Sequence, residues 1–195
     1  MTKQYSKKKK NSGVKQFFIV FFVLLTLAFV VVHLFSDSER AYPRPYSYLV
    51  EYYCEDYGVD SNLVYSIMKQ ESGFDPDARS HKGAAGLMQV MPETAQWSTS
   101  KMGIEYREDE LTDPSYNLNI SIWYLSYLNG VFGGNTVEII AAYNGGEGNV
   151  ETWLSNGTWD GTVENASDIP FGETSRYVEN VSANLQKYQE IYGKN

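Results

Sequence analysis

No Asp or Glu precedes Asp37 in this chain of 195 residues. There is one cysteine, Cys54, so an intramolecular disulfide framework and a Cys-based zinc site are both excluded. The two histidines, His33 and His81, are too few and too far apart for a His-rich metal centre. Six prolines and 16 glycines exclude a collagen-like or low-complexity protein. Alternating β-branched runs are absent, which argues against a sheet, and no internal repeat is present. With 43% hydrophobic and 21% charged residues, the chain has enough apolar content to fold.

What is present is unevenly spread. Six of the 16 basic residues, Lys3, Lys7, Lys8, Lys9, Lys10 and Lys15, crowd the amino terminus. Residues 17–35 then contain no Asp, Glu, Lys or Arg. As a helix that run would be about 28 Å long, close to the hydrocarbon thickness of a bilayer. Lysines flank only its amino-terminal side, so that end is expected in the cytoplasm and the remainder outside. A cleaved signal peptide is the alternative, but its apolar region is usually about 7–15 residues. No Cys stands directly at the end of the run, which excludes a lipoprotein anchor. The expected layout is a basic cytoplasmic tail at 1–16, a transmembrane helix at 17–35, a linker at 36–45 and a folded outer domain at 46–195. The Pro43 and Pro45 pair disfavours helix in the linker.

From Ser36 onward 24 acidic residues face 10 basic ones, a net −14. A nucleic-acid-binding domain would be basic. Six of the nine Phe fall before Ser36, whereas every Tyr except Tyr5 lies after it.

Helical periods dominate that domain. Leu49, Tyr52, Tyr53 and Tyr57 mark one face, ended by Gly58. Leu63, Val64, Ile67, Met68 and Glu71 mark the next, with Asp60 or Ser61 as cap and Gly73 as stop. Pro92 suits a first helical position. Asp113-Pro114 opens a helix carrying Leu118, Ile122, Leu125 and Leu128, ending near Gly130. Shorter helices are expected at 137–142 and 150–154, and a long one at 175–192. The predicted fold is all-α.

Glu71 stands out because it continues the apolar stripe of its helix, four residues after Ile67 and seven after Val64. A carboxyl facing apolar neighbours loses hydration and holds its proton more tightly, as a general acid must. A helix-terminal Glu rotated into solvent is the other reading. Residues 83–92 form a small-residue turn followed by an apolar run broken by Gln89, which needs a partner if buried. Tyr143 and Asn144 stand at a helix end. Cys54 reads as a small buried residue, His81 as a solvated loop residue, and Glu108-Asp109-Glu110 as an acidic turn. Trp153 and Trp159 are either core or sugar platforms.

Four ordered segments together resemble the soluble-lytic-transglycosylase (SLT) domain family: Glu71-Ser72, Gly86-Leu87-Met88-Gln89, Ala142-Tyr143-Asn144-Gly145-Gly146 and Glu173-Thr174-Ser175-Arg176-Tyr177-Val178. The resemblance extends from Tyr46 to Tyr188. It implies a compact helical, goose-type lysozyme-like fold within the α+β lysozyme-like superfamily. It also implies cleavage of the MurNAc-β-1,4-GlcNAc bond of peptidoglycan with formation of 1,6-anhydro-MurNAc ends. On this resemblance Glu71 is the catalytic acid and then base. Ser80, Gln89, Met91 and Thr94 line the cleft, Tyr143 and Asn144 border the reacting sugar, and Glu173 and Tyr177 close the site. No metal or other cofactor is implied. The partners would be peptidoglycan strands and, through residues 17–35, the cell membrane, with the catalytic domain on the cell-wall side. Two departures are Ser121, where the family often has Gly, and Ser175, which shifts the Arg of the last motif to Arg176. A hydrolytic muramidase of the same fold and a non-catalytic wall-binding scaffold are the competing readings.

Overall fold

The computed structural model describes residues 12–193, without the side chains of residues 12–15, 28 and 30–38. The chain divides into two compact units, Met1–Pro43 and Arg44–Asn195. The first contains helix α1, Ser12–Ala41. Its described large apolar side chains, Phe17 through Leu25, Leu27 and Phe29, are all exposed. Among the described residues no helix is long and apolar enough to cross a membrane. The span expected at 17–35 lies partly outside the described side chains.

The second unit holds α2 (Ser47–Tyr57), α3 (Ser61–Glu71), α4 (Pro92–Met102), α5 (Pro114–Val131), α6 (Thr136–Gly145), α7 (Glu147–Ser155) and α8 (Gly172–Tyr192). Single turns of 3₁₀ helix lie at Glu108–Glu110 and Ala166–Asp168. Isolated bridges pair Ala85 with Arg79 and with Val90, and no longer strand forms among the described residues. The caps follow local chemistry. Gly58 takes the left-handed conformation that closes α2. Asp60 accepts from the Asn62 amide to open α3, and Asp113 accepts from the Tyr116 amide to open α5. Pro92 and Pro114 sit in the first turns of α4 and α5.

Helix α3 departs from expectation. A stripe of Leu63, Val64, Ile67 and Met68 predicts a helix buried on one side. Instead, every residue from Ser61 to Met68 is buried. Helix α8 packs on α3, with Tyr188 stacked on Tyr65 at 5.7 Å. The Arg44 guanidinium lies over the Tyr65 ring at 5.1 Å and over Tyr192 at 4.1 Å. Two buried polar side chains of the helix are hydrogen-bonded, whereas the buried Tyr65 hydroxyl has no partner among the described residues. Ser66 donates to the Asn62 carbonyl, and Asn62 donates to the Gly193 carbonyl and accepts from Arg44. Trp153 and Trp159, 5% and 2% exposed, belong to the core rather than to a sugar platform.

The buried side chain of Asn117 makes three bonds to backbone in and beside the segment joining α3 to α4. The Asn117 amide donates to the Ala85 and Leu111 carbonyls at 2.9 and 2.8 Å and accepts from the Met88 N–H at 2.9 Å. Gly86, at φ +76°, passes so close that a Cβ would lie 2.4 Å from both Asn117 Nδ2 and the Leu111 carbonyl. Ser72 adds a bond to the Leu87 carbonyl at 2.7 Å. Loss of the Asn117 amide would strand the Met88 N–H and the Leu111 carbonyl and leave the Ala85 carbonyl with the Val90 N–H alone. Asn117→Ala is therefore expected to lower unfolding free energy by about 3 kcal/mol or more, read from urea denaturation. A change under about 1 kcal/mol would show that the segment is held otherwise.

Candidate active site

Glu71 is the last residue of α3, where the helix leaves the core and meets a cleft of about 560 Å³. That volume is typical of a ligand site. Ser80, Gln89, Met91, Thr94, Tyr143, Asn144 and Glu173 line the cleft with it, so eight of the nine expected site residues share one cavity. The ninth, Tyr177, stands behind the carboxyl and donates from its hydroxyl to Glu71 Oε1 at 2.7 Å. It lines a smaller pocket of about 300 Å³ with Gln70, Arg176 and Asn180, to which Glu71, Asn144 and Glu173 also contribute. Open space therefore lies on two sides of the carboxyl.

Burial raises the Glu71 pKa from 4.5 to about 7, the Tyr177 hydrogen bond opposes the rise, and the Glu173 charge adds to it. Near neutrality the group is thus divided between acid and carboxylate. Tyr143 and Tyr177 are themselves held neutral by burial, with the Glu71 charge acting in the same direction. Tyr143 donates to the Met88 carbonyl at 2.9 Å, which fixes its ring against the stapled segment. Ser121 is buried beside that hydroxyl, and its own hydroxyl has no hydrogen-bond partner among the described residues.

Gln89 is built differently from a free sugar donor. It adopts φ +46°, and its Nε2 donates to the Ala78 and Gly86 carbonyls, both at 2.9 Å. Its side-chain N–H groups hold the loop. Ser80 is also engaged, accepting the Ala84 N–H at 3.0 Å. Asn144 Oδ1 accepts from Thr174 at 2.8 Å, while its Nδ2 has no protein partner among the described residues. Tyr143 and Asn144 lie inside α6, which continues past the expected end at 142 to Gly145. A Cβ at Gly145 would approach Thr174 to 3.0 Å, so the small residue lets α6 and α8 meet there.

Tyr124, His81 and Lys82 also line the cleft and are missing from the expected set. His81 is exposed on its loop as expected, and Lys82 beside it is also exposed. Tyr124 lies off the apolar stripe of α5. The density of Trp123, Tyr124 and Tyr127 on that flank was the available signal. Cys54 is buried, and burial pushes its thiol up to about 12, so it is unreactive.

A family model described as "Transglycosylase SLT domain" matches residues 49–165. The chain belongs to this SLT family. The SLT domain here is 38% identical over 165 residues to the soluble lytic murein transglycosylase of Salmonella typhimurium, covering 83% of this chain and 25% of that protein. A membrane-bound lytic murein transglycosylase C of Mannheimia succiniciproducens is 33% identical over 135 residues, covering 64% of this chain and 38% of that protein. The 70-kDa soluble lytic transglycosylase of Escherichia coli superposes with a TM-score of 0.75 at 35% identity, over 83% of this chain and 26% of that one. An inactive Glu-to-Gln mutant of the lytic transglycosylase Slt of Pseudomonas aeruginosa gives 0.71 at 34% identity, over 80% of this chain and 26% of that one. The chain thus spans about a quarter of the soluble relatives it matches. The lysozyme-like helical fold is that of these structures.

The Glu71 environment has a consequence for stability. The unfolded chain releases this proton near 4.5 and the folded chain near 7. Between those values the folded state binds more protons, so stability falls as pH rises through the window and the loss is complete above it. Glu71→Gln removes the titration. The substituted protein is expected to show a flatter dependence between about pH 5 and 8 and to exceed the parent at the upper end, measured by urea midpoints. Equal slopes would mean that Glu71 is solvated.

Proposed function

We propose that this chain is a membrane-anchored peptidoglycan lytic transglycosylase that cleaves the MurNAc-β-1,4-GlcNAc bond and leaves 1,6-anhydro-MurNAc ends. The observation that carries the reading is the Glu71 carboxyl, desolvated in a sugar-sized cleft and tuned to titrate near neutrality. The names of the relatives and the inactivity of a Glu-to-Gln relative support it.

In the proposed reaction protonated Glu71 gives its proton to the glycosidic oxygen as the C1–O4 bond breaks. The carboxylate so formed takes the proton of the muramyl 6-hydroxyl, whose oxygen closes on C1. One residue acts as acid and then as base, and its pKa near the operating pH suits both steps. A two-carboxylate glycosidase needs a second acidic group across the bond. Glu173, the other acidic side chain lining the cleft, is exposed on α8 and poorly suited as a second reacting group. The half-buried, neutral Tyr143 would border the cationic sugar ring, and Asn144 Nδ2 would donate to a hydroxyl or acetamide.

The anchor is residues 17–35, charge-free after a lysine-rich tail. The exposed run of Phe, Val, Ile and Leu on α1 supports this, since water is a poor solvent for such a surface. The domain would then face the wall, with the amino terminus in the cytoplasm.

Digestion of purified sacculi followed by mass spectrometry tests the reaction. Anhydro products, lighter by one water than reducing ends, are expected from the parent. Glu71→Gln should reduce their formation by at least about a hundredfold, the low end for loss of a general acid–base group. Reducing ends instead would identify a hydrolase, and no cleavage would identify a binding module. The full-length chain should sediment with membranes at its uncleaved mass.

A further inference from the structure

A ledge of aromatic rings continues the cleft wall. Tyr143 and Tyr124, both in the cleft, have centroids 5.9 Å apart. Tyr124 in turn lies 6.1 Å from Trp97 and 6.2 Å from Tyr127. Trp97 lies 4.8 Å from Tyr127 and 5.8 Å from Trp123, and Trp123 stacks on Tyr127 at 13°. Helix register connects the ledge to the cleft independently. Thr94 lines the cleft, and Trp97 follows three residues later on the same face of α4, about 4.5 Å further along the axis.

Core packing does not require these rings. Helix α5 already fills the interior with Leu118, Ile122, Leu125 and Leu128, all 1% exposed or less. Trp97, Trp123, Tyr124 and Tyr127 are only half-buried. The core residue Trp159 donates its indole N–H to the Thr162 carbonyl, whereas those of Trp97 and Trp123 have no protein partner among the described residues. A ring with one apolar surface against the protein and an unused donor toward solvent suits a ligand with both apolar faces and hydroxyls. Pyranose rings have this character. The ledge would take sugars by short-range contact, which suits a domain whose net charge of −14 would repel an anionic wall.

We infer that Trp97 and Trp123 form a distal subsite that binds a sugar of the glycan strand beyond those held in the catalytic cleft. This rests on the lytic reading of that cleft and adds a preference for long strands.

The test uses the full chain and peptide-free glycan strands of two lengths, tetrasaccharides and strands more than twice as long. Affinity is measured by calorimetry in a Glu71→Gln background, where turnover is suppressed, and products are measured with Glu71 intact. Trp97→Ala and Trp123→Ala are each expected to lower the ratio of long-strand to short-strand affinity by roughly tenfold, about the value of one buried ring contact. Trp97→Tyr should recover most of the loss, which separates ring contact from a folding defect. An unchanged ratio, or equal losses at both lengths, would overturn the subsite. The products report on the lytic reading separately: a length ratio dependent on Trp97 and Trp123 without anhydro ends would keep the subsite and reject the lyase.

Discussion

The site depends on withdrawing one carboxyl from water without giving it a cation. Glu71 ends a helix whose preceding residues from Ser61 to Met68 are buried on every side. The carboxyl is thus placed where the interior gives way to the cleft. Among the described residues its one close side-chain partner is the Tyr177 hydroxyl, 106 positions along the chain. A cation would have stabilised the carboxylate and removed the acid. A phenol gives orientation with a smaller preference for the charged form, and desolvation remains the dominant influence.

The opposite wall is braced by side chains that bond its backbone. Asn117 fixes Ala85, Met88 and Leu111, Gln89 fixes Ala78 and Gly86, and Tyr143 fixes Met88. The groups most suggestive of sugar recognition in the sequence therefore serve partly as braces. Gln89 and Ser80 hold the loop that shapes the cleft, while Asn144 Nδ2 and the face of Tyr143 remain for a ligand. Positive φ at Gly86 and at Gln89 lets this segment turn back within a few residues.

Features set by adjacent residues were legible in the sequence. Gly58, Asp60, Pro92 and Asp113-Pro114 mark helix ends by local rules, and each marks one here. Glu71 was legible because its spacing conflicts with its charge. Features that depend on distant packing were not. The full burial of α3 requires Tyr188 and Arg44, and the extension of α6 through Tyr143 and Asn144 requires the approach of Thr174 to Gly145. Tyr124 was missed because its stripe on α5 gains meaning only when Trp97 of α4 lies beside it.

The central claim is that Glu71 keeps its proton to near neutrality in the ligand-free protein. Carbon-detected NMR of protein labelled at Glu carboxyls measures this directly. One resonance should titrate near 7, vanish in Glu71→Gln, and move to higher pH in Tyr177→Phe, because that change removes the bond favouring the carboxylate. If the resonance lost in Glu71→Gln titrates near the ordinary value of 4.5 instead, the carboxyl is hydrated and this account of the site is wrong.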